Sequence, residues 1–206
     1  MKRLAIFGAS GHGLVTAEIA LSTSWDSVEF YDDAFPDKTS LHNFPIQGGL
    51  GKLLEKSHYY DGFHVAIGDN RTRLNILNQL LESDLSCPNI IATSSFVSQS
   101  VSLGVGIAIM AHAVVNAKAS LGDGVILNTS CSVDHDCKIA SGVHVSPGAH
   151  LAGNVSVGIC SWVGIGSTII QGKVIGDDSI IGAGSTVISD IPKSVIAVGV
   201  PSKIIG

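Results

Sequence analysis

Every sixth residue from Val97 to Val187 is valine, isoleucine or leucine: Val97, Leu103, Ile109, Val115, Leu121, Leu127, Val133, Ile139, Val145, Leu151, Val157, Val163, Ile169, Ile175, Ile181 and Val187. If about one residue in three were of these types, chance would produce the run roughly twice in 10⁸ trials. A beat of six matches neither the helical period of 3.6 nor the alternation of a plain strand. It marks a unit too small to bury its own apolar side chain, so that neighbouring units must stack to build a core. The residues four positions after each aliphatic one are mostly small or branched, among them Ala113, Ala119, Val125, Cys131, Cys137, Val143, Ala149, Val155, Ser161 and Ser167.

This pattern resembles the hexapeptide repeat of left-handed parallel β-helices, where three hexads make one triangular coil. The resemblance implies about five coils over residues 97–187, stacked at the roughly 4.8 Å spacing of paired strands. The left hand comes from the resemblance, since parallel crossovers ordinarily run right-handed. The first half of the chain alternates instead. Residues 2–7, 28–31 and 64–67 read as strands; 14–21, 50–56 and 70–82 read as helices, the last with Asp69 as N-cap. Residues 87–91 lead into the coils. The expected fold is therefore an α/β N-terminal domain, a small Rossmann-like parallel sheet over residues 1–92, followed by an all-β left-handed parallel β-helix with a C-terminal tail over residues 97–206.

The bulk numbers narrow the function. A net charge of −5 and the lack of a Lys/Arg patch argue against nucleic-acid binding. No stretch reaches the roughly 18 apolar residues of a membrane span, and the opening run MKRLAIFGASGHG meets glycine too early for a secretory h-region. Four cysteines in such a chain point to reduced thiols and a cytoplasmic setting.

Three loops carry ligand-binding chemistry in the first half. In FGASGHG, Gly8, Gly11 and Gly13 stand between strand and helix, either as a tight turn or as a cradle that brings a phosphate to helix N–H groups. Asp32 and Asp33 end the second strand, where carboxylates accept hydrogen bonds from a ribose or simply face solvent. AIGDNRTR sets Gly68, Asp69, Asn70, Arg71 and Arg73 after the third, as a nucleotide loop or a helix cap. Ligands of open parallel sheets bind beyond the strand carboxyl ends, where these loops converge.

In the second half, CSVDHDCKIASGVHV packs two cysteines, two histidines and two aspartates into residues 131–145. The beat assigns Cys131 and Cys137 to the interior as small fillers, away from any metal. It leaves His135 and Asp136 at a corner, where an imidazole oriented by a carboxylate suits a general base. Gly153 comes one coil later at the same corner, its N–H a candidate oxyanion donor. His144 points outward in the column Ala108, Ile126, His144, Trp162, Ile180, the one outward column that is apolar and so marks an interface or a ligand face. Beside it Met110, Asn128, Ser146, Gly164 and Gly182 thin to glycine, leaving room for a long ligand.

FGASGHGLV, FYDD, AIGDN, GVILNTSCSVDHDC, HVSPGAHLAGN and GVPSK together resemble the sugar acetyltransferases that join a small nucleotide-binding domain to a hexapeptide β-helix. The nearest likeness is to UDP-4-amino-sugar N-acetyltransferases of bacillosamine biosynthesis; sialic acid O-acetyltransferases and GDP-perosamine N-acetyltransferases share the layout. The resemblance implies a homotrimer with acetyl-CoA in the groove between adjacent β-helices and no metal. It implies His135 as base, assisted by Asp136 where relatives carry the longer Glu, and a substrate-side role for Asn128. It implies nucleotide-sugar contacts from Ser10, Gly11, His12, Asp32, Asp33 and Gly68, to which the loop chemistry adds Arg71. It places acetyl-CoA near His144, Ile165 and the backbone of Gly182 and Ala183. A shared site, with His135 and His144 from different subunits, is the corresponding expectation. O-acetylation, a trimeric zinc lyase built on His135, His144 and His150, and a catalytically silent sugar-nucleotide binder are the rival readings.

Overall fold

The computed structural model describes residues 1–205, and the chain divides into two compact units, Met1–Thr93 and the residues from Ser94 onward. In the first, β1 (Arg3–Phe7) lies between β2 (Ser27–Tyr31) and a third strand, Gly62–Val65, all parallel. Alternation of side chains along β1 builds two half-cores. Leu4 and Ile6 pack with Ala17 and Ala20 of helix α1 (Gly11–Leu21) and with Phe30. Ala5 and Phe7 pack with Phe63, Val65 and with Leu77 and Leu80 of a second long helix, Asn70–Glu82. Being covered on both faces, β1 reads as an unbroken apolar run. The short helix Leu50–Glu55 follows the expected range.

Some boundaries differ from the sequence reading. Helix α1 begins at Gly11 rather than Leu14, because the backbone enters the helix inside the glycine turn, before its apolar residues start. The third strand ends at Val65, where pairing with Phe7 ends. A two-stranded hairpin, Ser40–Leu41 with Phe44–Pro45, carries too little pattern to be foreseen.

His64 lies in this core at 1% exposure. Burial, and then the charge of His12 nearby, push its pKa down to about 4. The unfolded chain, with a histidine near 6.5, therefore binds a proton before the folded one as pH falls. Stability is complete above pH 6.5 and drains away between 6.5 and 4, by about 3 kcal/mol for this group. In denaturant unfolding, the stability of wild type relative to His64→Leu should fall by about that amount between pH 7 and pH 4; an unchanged difference would contradict it.

The second unit is a left-handed parallel β-helix, and the beat of six is its register. Each aliphatic residue is the second residue of a two-residue strand. One sheet carries Val114–Val115, Ser132–Val133, His150–Leu151 and Thr168–Ile169; a second carries Ser120–Leu121, Lys138–Ile139, Ser156–Val157 and Val174–Ile175; a third carries Ile126–Leu127, His144–Val145, Trp162–Val163 and Ile180–Ile181. From Ile109 to Val187 every aliphatic of the beat is at most 3% exposed.

The corners follow a second six-residue rule. Residues 106 to 184, taken every sixth, all have positive φ: seven glycines alternate irregularly with His112, Lys118, Ser130, Asp136, Asn154, Cys160 and Asp178. A left-handed residue reverses the chain tightly enough to start the next face. It costs a non-glycine residue about 1–2 kcal/mol, least for Asn and Asp, and the stacked strands on either side hold it there.

The coils also continue beyond the expected end. Ile191 bridges to Ile175 and Ala197 pairs with Ile181, so a sixth coil forms in a register two residues short of the beat. Lys203–Ile204 then closes antiparallel on Ala197 and Val198. Cys131 and Cys137 are fully buried inside the prism. Burial lifts both thiols, Cys131 to about 12, as befits packing groups rather than thiolates. None of the four cysteines is in a disulfide among the described residues.

Candidate active site

At its corner, His135 is exposed, and its Nδ1–H donates to Asp136 Oδ2 over 2.8 Å. Aspartate is one methylene shorter than glutamate, and the left-handed backbone of Asp136 brings its carboxylate to the neighbouring ring all the same. The bond to Asp136, and behind it the charges of Asp134 and Asp136, raise the imidazole above its ordinary pKa. With Nδ1–H engaged, Nε2 is left to accept a proton.

Gly153 explains where the ring lies. A Cβ built on Gly153 would stand 2.5 Å from His135 Cε1 and 2.6 Å from Nε2, so the imidazole rests on the bare Cα of the next coil. Only glycine leaves that space. The Gly153 carbonyl accepts from Gly172 N–H, while its own N–H donates to nothing among the described residues.

On the third sheet, a groove of ≈ 620 Å³ gathers Asn128, His144, Ser146, Pro147, Trp162, Gly164, Ile165, Gly182 and Ala183. Asn128 and all four residues expected near acetyl-CoA line it. His144, expected to stand outward, does leave the prism but is only 8% exposed, because Trp162 stacks on it at 4.8 Å between ring centroids. Trp162 in turn donates Nε1–H to Ser146 Oγ over 2.6 Å.

The tautomer of His144 follows from its neighbours. Asn128 Oδ1 accepts from Thr129 N–H at 2.8 Å, which turns Asn128 Nδ2 toward His144 Nε2 at 3.1 Å. Nδ2 is a donor, so Nε2 accepts and the ring carries its proton on Nδ1. His144 is therefore not the available base. In the backbone expected beside acetyl-CoA, the N–H of Gly182 donates to the Ala197 carbonyl of the sixth coil, while that of Ala183 is open among the described residues.

The first unit presents its three loops at one edge, beyond the carboxyl ends of parallel strands. Gly8 has φ +111° and its Cα abuts Ala66, so the turn after β1 is tight by necessity. Gly11 and Gly68 face open space, and Ser10 makes no side-chain cap to the helix it precedes. Asp32 and Asp33 prove more than solvated acids: Asp32 accepts from Ala9 N–H (2.7 Å) and Ala34 N–H (2.9 Å), and Asp33 from Leu50 N–H (2.8 Å). They hold the loops together and keep spare lone pairs outward.

Asp69 is the helix cap, accepting from Thr72 N–H at 2.8 Å, with its carboxyl held below the usual range by that bond. Arg71 is exposed, whereas Arg73, read as part of the same edge, is buried and donates to the carbonyls of Ile67 and Gly68 and to Asn70. His12 is half-buried, its Nε2 sealed from solvent without a hydrogen-bond partner; burial, then Arg73, lower its pKa to about 4. Lys38, which the sequence reading passed over, donates Nζ–H to the carbonyl of Ala9 above the glycine turn.

A larger shallow concavity, ≈ 690 Å³, lies on the second sheet over Ser120, Lys138, Ser156 and Val174. It collects none of the expected site residues and follows from small residues packed under the next corner. His150 belongs to the first sheet and shares a hydrogen bond with Ser132 Oγ (2.8 Å). No three His, Cys, Asp or Glu side chains converge as a metal site among the described residues, and no described helix is long and apolar enough to cross a membrane.

Residues 3–80 match the PglD N-terminal domain. A mutant of perosamine N-acetyltransferase from Caulobacter crescentus, solved with CoA and GDP-perosamine, superposes with a TM-score of 0.95 at 36% identity, covering 100% of this chain and 98% of that one. The acetyltransferase domain of PglB from Neisseria gonorrhoeae, solved with acetyl coenzyme A, gives 0.95 at 38% identity over 99% of each chain. WeeI from Acinetobacter baumannii, 22% identical, shares the fold with a TM-score of 0.89 over 100% of both chains. Identity above a third over whole chains, with the same two units in the same order, settles the assignment: the chain belongs to the sugar N-acetyltransferases of the left-handed hexapeptide β-helix family.

Proposed function

We propose that the protein transfers acetyl from acetyl-CoA to the 4-amino group of a nucleotide-linked amino-deoxy sugar, of the UDP-4-amino-4,6-dideoxy-N-acetylglucosamine type. The observation that carries this reading is the corner at His135: an exposed imidazole, its Nδ1 side occupied by Asp136 and its ring resting on Gly153. His135 Nε2 takes the proton from the attacking amine as nitrogen bonds to the thioester carbonyl carbon. The N–H of Gly153 donates to the oxyanion. The C–S bond then breaks, and the CoA thiolate leaves and takes up a proton.

The groove holds the CoA arm, with Ile165 and the glycines giving apolar floor and clearance, Ala183 N–H a donor, and His144 and Asn128 flanking the acyl end. The N-terminal unit supplies nucleotide contacts from Ser10, Gly11, His12, Asp32, Asp33, Gly68 and Arg71. The working assembly is a homotrimer with sites shared between subunits, and four cysteines outside any disulfide support a cytoplasmic setting. The relative crystallised with GDP-perosamine supports a second reading, a GDP-linked sugar.

The test is thiol release from acetyl-CoA across UDP-, GDP- and dTDP-linked 4-amino-6-deoxy sugars, with sialic acid as a hydroxyl acceptor. Turnover with a 4-amino sugar nucleotide at least about 10²-fold above sialic acid is the expected result. Preference for the hydroxyl acceptor would overturn N-acetylation, and preference for the GDP sugar would replace the UDP reading.

A further inference from the structure

We propose that Asp134 is a positioning residue for His135, fixing the corner backbone through one carboxylate oxygen and placing a second negative charge behind the imidazole. The proposal rests on His135 being the base and extends it. Asp134 Oδ1 accepts from His135 N–H at 2.8 Å and from Asn116 Nδ2–H, one coil earlier, at 3.0 Å. Asn116 is itself held by its N–H to the Val133 carbonyl, and Asp134 by its N–H to that of Leu151. Coils on either side thus clamp the residue from which the imidazole projects.

The turn needs an acceptor but not a charge. The structure carries its own control: Asn128 makes the same contact, Oδ1 accepting from the N–H of the next residue at 2.8 Å, with a neutral amide. Asparagine would therefore serve at 134 if holding the backbone were all that mattered. Asp134 is half-buried, and among the described residues no lysine or arginine pairs with it to neutralise its charge. A negative charge next to a proton-accepting imidazole gives it a use.

Around His135, the coil before contributes Ala117 and Lys118 and the coil after Gly153 and Asn154. The charges that act on the ring are those of Asp134 and Asp136, and both raise its proton affinity. A raised pKa means the ring is neutral, and able to act as base, only above its ordinary value. The acid limb of the rate profile should therefore lie above pH 6.5, and removing either charge should move it down.

The experiment follows the His135 imidazole by NMR titration, and the pH dependence of kcat/KM, in wild type, Asp134→Asn and Asp134→Ser. Both variants keep an acceptor for the His135 N–H and lose the charge; Asp134→Ser stands in if Asp134→Asn does not fold. The titration midpoint of His135 should fall in the variants and the acid limb should fall with it, while KM for acetyl-CoA and the melting temperature stay near wild type. Midpoints and profiles that superimpose on wild type would overturn the proposal, since a purely structural Asp134 predicts that result. His135→Ala, assayed in parallel, separates the two readings. If it remains active while the midpoint still moves in the Asp134 variants, the base assignment fails and the coupling stands. If it is inactive while nothing moves, the base stands and Asp134 does not act on it.

Discussion

Alanine at position 135 is expected to lower kcat about 10²- to 10⁴-fold, the usual range for removing a general base, without lowering the melting temperature. The side chain is exposed, so its loss leaves no cavity. Its Nδ1–H bond is to a neighbouring exposed Asp136 that water can solvate in its place. KM for acetyl-CoA should hold, since the groove residues are on a different wall of the prism from the corner. His144→Ala should also be inactive, for another reason. It removes the acceptor of the Asn128 Nδ2–H and the stacking partner of Trp162. If the sites are shared between subunits, mixing the two inactive chains restores part of the activity in mixed trimers. No recovery at any ratio would exclude sharing, and a fully active His135→Ala would exclude the base.

The second large effect is expected from one methyl group. Gly153→Ala places a Cβ 2.5–2.6 Å from the His135 ring, about 1 Å inside ordinary contact, so the imidazole must move. Gly153 has no left-handed φ, hence the backbone accepts alanine without strain. The ring is free to swing into solvent, breaking its bond to Asp136, and stability should change little. Displacement of a catalytic group by about 1 Å costs on the order of 10²-fold in rate, read as a fall in kcat. The double variant with His135→Ala should be no slower than His135→Ala alone, because both changes act on the same imidazole. Near-wild-type turnover in Gly153→Ala would show that the ring position is not the working one.

The solenoid was legible because its repeat is a packing requirement. One residue in six faces inward at the middle of each face, and a polar residue there has no partner to satisfy it, so the aliphatic beat survives in plain view from Val97 to Val187. The same beat placed Cys131 and Cys137 inside and His135 at a corner. The positive-φ rule at residues 106–184 was harder to read, since glycine, aspartate, lysine and cysteine all fill that position once stacked strands over-determine the backbone. The sixth coil is not legible in the beat, because two residues are missing from it before Ile191.

The loops of the first unit show the limit of reading residue types without their partners. Asp32 and Asp33 read as ribose acceptors or solvated acids, and the structure shows that both also accept from backbone N–H groups; Asp69 is the helix cap its place before Asn70 foretold, and Arg73, two residues from exposed Arg71, faces inward. Composition and spacing cannot tell a carboxylate that binds a loop from one that binds a ligand, because the chemistry is identical and only the nearest donor differs.

Periodic, short-range demands were thus written along the chain: which residues fill the prism, where the faces turn, and which strand ends share an edge. Contacts across coils were not. That Asp136 reaches His135, that Gly153 makes room for its ring, that Asn128 orients His144 under Trp162, and that Asp134 clamps the corner all depend on residues that meet only when coils stack at strand spacing, and a single-residue distance of an ångström decides each of them.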